Sequence, residues 1–166
     1  ARFAKELLRE EGRTVGRFDS RYQGVDRDGA GESYDYDPSA AAVFGPFTSA
    51  LNQYVREDLE FEREQVYEIL TGKVHPWSYS GFENRYVSAA ETLREAMVKN
   101  PHLQVFVANG YYDLATPYFA TVYTFNHLGL PKHLQKNVEM AFYEGGHMMY
   151  VHEPSLEKLK DDLVKF

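Results

Sequence analysis

Two apolar runs, each followed at once by a polar loop, constrain the fold of this chain most. The run Val138–Tyr143 leads into a Glu-Gly-Gly-His sequence that ends at His147. The run Leu103–Ala108 leads into an Asn-Gly-Tyr-Tyr-Asp sequence that ends at Asp113. From residue 87 onward the patterns alternate as helix, strand, helix, strand, helix, which predicts a parallel sheet covered by helices. Side chains that follow parallel strands gather at one edge of a sheet, so the acid and the histidine should meet there.

The composition narrows the class of protein. A chain of 166 residues with 43% hydrophobic and 15% aromatic residues is expected to form one folded domain. Its net charge of −7, without a basic stripe, argues against nucleic acid as a partner. The absence of cysteine excludes disulfide and thiolate chemistry. No apolar run is long enough to span a membrane, so we also expect no membrane partner.

The chain divides into two segments near residue 85. We interpret residues 1–85 as a mainly helical cap or insertion, and residues 86–166 as the C-terminal part of an α/β core. Because Ala1 lies in the middle of an amphipathic helix pattern, we expect this end to be a cut. Two parallel strands are too few for a buried parallel sheet, so we expect them to pair with further strands from outside this segment.

Hydrophobic periodicity and turn residues predict the individual elements. In the first segment we predict helices over 2–11 and 38–59, an exposed loop over 26–37 and a short helix or strand over 60–71. In the second segment we predict a helix begun by a capping box at Ser88, and strands over 103–108 and 137–143. We also predict a helix over 117–128 that Thr116 caps, and a final helix over 154–165.

Asp113 and His147 are the candidate catalytic residues. In the functional interpretation, Asp113 orients the imidazole and stabilises its charged form, and His147 acts as a general base. In the structural alternative, Asp113 caps the next helix or stabilises the turn, and His147 is an ordinary core or surface residue. Tyr111 and Tyr112 flank the predicted site, and we expect them to line a substrate pocket.

Ser33 is the candidate nucleophile that the sequence offers, within a Gly-Glu-Ser-Tyr segment. A nucleophile elbow needs a buried strand before the serine, a helix after it and a second glycine. An Asp-rich and Gly-rich stretch surrounds Ser33 instead, which predicts a solvated loop serine. His147, His152 and Glu153 match no zinc-ligand spacing, so we predict neither a metal nor another cofactor.

Taken together, Val107–Pro117 and Phe142–Tyr150 resemble the C-terminal end of the serine carboxypeptidases, and in particular their cysteine-free bacterial members. The resemblance is strong over residues 85–166. It is looser over residues 1–85, where it matches the region that the family inserts as a helical cap.

The resemblance implies an α/β-hydrolase fold and removal of C-terminal residues from peptides through an acyl-enzyme. It implies that Asp113 is the acid, that His147 is the histidine and that Met148 lies beside the leaving-group pocket. It also implies an exported or periplasmic location.

In this family the nucleophile lies upstream of the cap, in a Gly-Glu-Ser-Tyr-Gly segment that this chain lacks. We therefore expect the serine on a missing N-terminal half, which would be the partner of this chain, and we expect the chain alone to be inactive. Exposed sheet edges make a homo-oligomer the other expected assembly. The alternatives are a non-catalytic binding or assembly module, a complete hydrolase that uses Ser33, and an esterase-type hydrolase.

Overall fold

A computed structural model describes residues 2–69 and 71–166 as a mixed fold of helices and two small sheets. Within these residues there are six α-helices: α1 (Arg2–Glu6), α2 (Pro38–Gln53), α3 (Ala90–Lys99), α4 (Tyr118–Asn126), α5 (Lys132–Gln135) and α6 (Glu153–Lys165). The same residues contain four strands: β1 (Arg13–Val15), β2 (Gln23–Val25), β3 (Val105–Gly110) and β4 (Val138–Tyr143).

The strands β3 and β4 form a parallel pair that carries the second half of the chain. Val105 pairs with Val138 at one end of the register, and Gly110 pairs with Tyr143 at the other. The two strands therefore end side by side. This confirms the prediction of parallel strands separated by a helix, although β3 begins and ends two residues later than expected.

Helices cover both faces of this pair. On one face the buried side chains of Met97, Leu128, Leu130 and Leu134 pack with Val105 and Val138. On the opposite face Ala141, Tyr143 and Met149 pack with Phe106 and with Leu159 of α6. Packing on both faces is the usual arrangement of parallel strands, and here it buries Asn109, Ala141 and Tyr143 while most other strand residues stay partly buried.

The first segment contains a hairpin that the sequence interpretation missed. The strands β1 and β2 pair antiparallel, with Arg13 opposite Val25. Lys5 of α1 is fully buried beneath the hairpin, and its Nζ lies 2.9 Å from Asp26 Oδ2 and 3.0 Å from Oδ1. This ion pair attaches the hairpin to α1, so the segment is not helical throughout.

Three further expectations need correction. Residues 60–69 form no helix or strand, and Leu70 of that predicted element lies outside the described residues, as does Ala1. The capping box at Ser88 is absent, because α3 begins at Ala90 and has Ala89 as its N-cap, without a side-chain cap. The predicted helix over 2–11 breaks after Glu6 and resumes as a 3₁₀ turn at Arg9–Glu11 that ends at Gly12.

In the part of the chain that the structure covers, every helix is too short or too polar to cross a membrane.

Replacing Lys5 tests whether the buried ion pair holds the hairpin. Lys5→Met should lower the free energy of unfolding by about 3–5 kcal/mol, because it leaves the Asp26 carboxylate buried without its partner. The exposed Lys160 of α6 provides the control, and Lys160→Met should change stability by less than about 0.5 kcal/mol. Urea unfolding measures both. Equal stability of the two variants would contradict the assignment, whereas the double variant Lys5→Met/Asp26→Leu should recover much of the loss.

Candidate active site

Asp113 lies three residues beyond the end of β3, in the loop that leads to α4, and only 5% of the residue is exposed. Its Oδ1 accepts hydrogen bonds from the backbone N–H groups of Ala115, at 2.7 Å, and Thr116, at 2.9 Å. Its Oδ2 accepts a hydrogen bond from the Thr116 hydroxyl at 2.6 Å. The tight Asp-Leu-Ala-Thr turn therefore holds the carboxylate at both oxygens.

His147 lies four residues beyond the end of β4, and the side chains of the two loops meet. Its Nδ1 lies 2.9 Å from Asp113 Oδ2 and 3.2 Å from the Thr116 hydroxyl oxygen. Phe18 packs against the imidazole, with ring centroids 5.4 Å apart. The His147 side chain is 41% exposed, and within residues 2–69 and 71–166 no group forms a hydrogen bond with its Nε2.

The hydrogen-bond network assigns the protonation states of the pair. Burial raises the pKa of the Asp113 carboxyl, but the bonds from Thr116, His147 and Ala115 outweigh burial and hold this pKa below its ordinary value. An ionised carboxylate can only accept hydrogen bonds, so the proton of the neutral imidazole belongs on Nδ1. The Nε2 lone pair then faces outward as a base.

The hairpin loop of the first segment holds both site loops in place. The carbonyl oxygen of Phe18 accepts a hydrogen bond from the His147 backbone N–H at 2.6 Å, and the carbonyl of Arg17 accepts one from Leu114 at 3.0 Å. In the same region the Ser20 N–H donates to the Tyr112 carbonyl at 2.9 Å. Residues 17–20 therefore contact the acid loop and the histidine loop together.

Arg21 adds an electrostatic contact between the same segments. Its guanidinium pairs with both Asp19 oxygens, at 3.0 and 2.7 Å, and donates to the Glu144 carbonyl at 3.2 Å. It also lies over the Tyr112 ring, 4.5 Å from the centroid. The Tyr112 hydroxyl donates to Glu144 Oε2 at 2.9 Å, and this bond to a carboxylate raises the pKa of the Tyr112 phenol. Tyr112 therefore belongs to this inter-segment cluster.

A pocket of about 410 Å³ opens beside the histidine loop. Its lining combines an apolar set with Asp19, Arg21, Ser39 and His152; the apolar set is Phe18, Tyr22, Val43, Met148 and Val151. Met148 thus lies in a pocket wall. Tyr111 is not part of this lining, and its ring packs instead against Phe142 and Tyr118, with centroids 5.8 and 5.5 Å away.

Ser33 lies in the exposed loop that joins β2 to α2, and not on a tight strand-to-helix turn. It follows the end of β2 at Val25 by eight residues and precedes α2 at Pro38 by five. The Asp28 side chain holds this loop as a turn by accepting from the N–H groups of Ala30 and Gly31. Over the described ranges, Ser33 makes no hydrogen bond to His147.

The described residues contain no group of three His, Asp or Glu side chains placed to hold a metal ion. The candidate metal ligand His152 contacts the Ser155 hydroxyl through Nδ1, at 2.8 Å.

Two parts of the site were missed from the sequence. Thr116 was interpreted as a cap for the following helix, but α4 has Pro117 at its N-cap and no side-chain cap. The spacing of Asp113 and Thr116, three residues apart, is the local signal that could have identified their contact. The contribution of residues 17–20 carries no such signal, because it depends on contacts across more than 90 residues.

Comparisons of this chain with protein-family models, with curated proteins and with solved structures found no match. The family resemblance therefore stays a prediction.

Substitution of Gly146 tests the docking of the histidine loop. A methyl group at Gly146 would overlap the Phe18 carbonyl oxygen and Asp19 Cβ, so Gly146→Ala should destabilise the chain by about 1–3 kcal/mol. Gly29→Ala is the matched control, because a methyl group at Gly29 meets no atom within 4 Å. Chemical denaturation and the His147 amide NMR signal provide the readout. A Gly146→Ala variant as stable as Gly29→Ala, with an unmoved His147 signal, would refute the docking.

The pH dependence of stability tests the ionised state of Asp113. Because its folded pKa is lowered, the unfolded chain takes up the proton first as the pH falls. The resulting stabilisation is present above the carboxyl pKa of the unfolded chain, about 4, and is lost as the pH falls through the folded value. The free-energy difference between wild type and Asp113→Asn should therefore narrow from about pH 7 to about pH 2. Asp161→Asn, at an exposed position on α6, serves as the control. A constant difference for Asp113→Asn would contradict the assignment.

Proposed function

We propose that this chain supplies the acid and the histidine of a serine-type hydrolase, whose parent protein is a serine carboxypeptidase-like peptidase. The observation that carries the proposal is the 2.9 Å contact between His147 Nδ1 and Asp113 Oδ2 at the ends of two adjacent parallel strands. In this assignment Asp113 is the orienting acid and His147 the general base, within an α/β-hydrolase fold.

The chemistry follows from the two imidazole nitrogens. With Nδ1–H held by Asp113, Nε2 accepts the proton of a serine hydroxyl as its oxygen attacks the substrate carbonyl. The imidazolium, stabilised by the carboxylate, then gives this proton to the leaving amine, and an acyl-enzyme remains. In the second half, water gives a proton to Nε2 as its oxygen attacks the acyl carbonyl. The imidazolium then returns this proton to the departing serine oxygen, which releases the acid product and restores the serine hydroxyl. For a carboxypeptidase the leaving amine is the C-terminal amino acid.

The serine of this mechanism would come from a complementary polypeptide segment. Ser33 lies in a long exposed loop between β2 and α2, whereas an elbow needs the strand and the helix to adjoin the serine in one sharp turn. In the part of the chain described, β3 and β4 pair only with each other, so each has an unpaired edge. The adjacent α4 has no buried residue, and its Phe119 is 70% exposed. An apolar helix beside open strand edges favours burial against further α/β structure.

Of the alternative functions, the non-catalytic module predicts that Asp113 and His147 lie too far apart for a hydrogen bond. Their contact favours a catalytic function. Peptidase and esterase chemistry share the same acid and base, so the substrate must separate them: a carboxypeptidase requires a free C-terminal carboxylate beside the scissile bond.

The first test is labelling with a fluorophosphonate, which reacts with activated serines. The chain alone should not be labelled. Intact mass and peptide mapping of the purified material then identify any accompanying polypeptide with a Gly-Glu-Ser-Tyr-Gly segment, and in that complex its serine should be labelled. His147→Gln should slow the labelling at least about 1000-fold.

His152→Gln is the matched control, because His152 lines the neighbouring pocket but contacts Ser155 instead of Asp113. It should leave the labelling rate within a few-fold of wild type. Labelling of Ser33 in the isolated chain would replace this proposal with a complete hydrolase. If the complex with His147→Gln were labelled as fast as the wild-type complex, His147 would not be the base.

A further inference from the structure

Thr116 is neither the proposed acid nor the proposed base, but it contacts both Asp113 and His147. Its hydroxyl oxygen lies 2.6 Å from Asp113 Oδ2 and 3.2 Å from His147 Nδ1. Its backbone N–H donates to Asp113 Oδ1 at 2.9 Å. We propose that Thr116 is a positioning residue whose hydroxyl fixes the carboxylate and selects the His147 tautomer that leaves Nε2 as a base. The role of this tautomer in catalysis rests on the proposed function, but the tautomer itself can be measured in the chain alone.

The distances decide where the single hydroxyl proton of Thr116 goes. An O–H···O⁻ bond of 2.6 Å has the length of a charge-assisted hydrogen bond, whereas 3.2 Å to Nδ1 is long. The hydroxyl therefore donates to Asp113 and turns its lone pairs toward His147. Both oxygens near Nδ1, from the carboxylate and from the hydroxyl, are then acceptors. A proton on Nδ1 satisfies both, and an unprotonated Nδ1 would face two sets of lone pairs.

Thr116 also fixes the plane of the carboxylate. Its N–H holds one oxygen and its hydroxyl holds the other, so rotation of the Asp113 side chain would break a bond at each end. The bonds from Thr116 are also the foremost of those that lower the pKa of Asp113 against the effect of burial. Without the hydroxyl, Oδ2 would keep only its contact with His147.

Packing does not require the hydroxyl at this position. Thr116 is exposed, and it precedes the N-cap of α4. Valine has nearly the same shape as threonine and lacks only the hydroxyl, so Thr116→Val should fold and isolate the effect of this group. Thr116→Ser restores the hydroxyl without the methyl group. The two variants therefore separate positioning from packing.

The experiment is histidine NMR on the chain labelled with ¹⁵N, in which the ring signals report the Nδ1–H and Nε2–H tautomers. The chain has six histidines, and His147→Gln assigns the signal of interest. Wild type and Thr116→Ser should show the Nδ1–H form. Thr116→Val should shift the tautomer ratio toward Nε2–H by about 3- to 10-fold, and it should raise the pKa of the Asp113 carboxyl.

Thr124→Val is the matched control, because the Thr124 hydroxyl donates within α4 to the Ala120 carbonyl, at 2.9 Å. It should leave the His147 tautomer unchanged whatever its effect on stability. Thr116→Ala is a second hydroxyl-free variant, for the case in which valine prevents folding. A folded hydroxyl-free variant with the wild-type tautomer ratio, or a Thr116→Ser variant that shifts as valine does, would overturn the inference.

The same measurement distinguishes the two proposals. A tautomer ratio that follows the hydroxyl supports the positioning role, even if no complex of this chain reacts with a fluorophosphonate. In that case the proposed hydrolase function fails while the role of Thr116 stands.

Discussion

The parallel pairing of β3 with β4 is the interaction on which the site depends. Because Gly110 lies opposite Tyr143 in the register, both strands end at the same edge, and the loops that follow start as neighbours. A shift of one residue in this register would turn every side chain of the shifted strand to the other face and would break the two-sided core. The contact between Asp113 and His147 is thus a consequence of sheet register as much as of side-chain chemistry.

A second set of contacts fixes the geometry of the two neighbouring loops. The turn after Asp113 holds the carboxylate through backbone and hydroxyl donors. The hairpin loop over residues 17–20 accepts from His147 and Leu114 and donates to Tyr112. Gly146 permits this docking, because a side chain there would overlap the backbone of Phe18. The two segments that the sequence divides near residue 85 therefore meet at the site, and the first segment contributes structure to it.

The features of the fold that the sequence predicts are those with a clear local pattern. The strands at 105–110 and 138–143 were recognisable because each contains a mainly apolar run followed by turn residues. The hairpin at 13–25 was missed because its strands have three residues each, too few to show alternation. Residues 60–69 carry apolar side chains without forming an element, since apolar content alone does not specify a period. Thr116 was predicted to cap the following helix, but its hydroxyl binds Asp113 instead. The prediction was wrong because helix caps and turns use the same residue types.

The sequence by itself determined the alternation of helices and strands in the second segment and the presence of an acid and a histidine after two successive strands. These features arise from interactions among residues close in the chain, so short stretches of the sequence are enough to predict them. Only the tertiary structure decided that Asp113 and His147 share a hydrogen bond, that Thr116 joins them and that Phe18 packs on the imidazole. Such contacts join residues 31 to 129 positions apart, and they form only when sheet register and hairpin docking bring distant segments together.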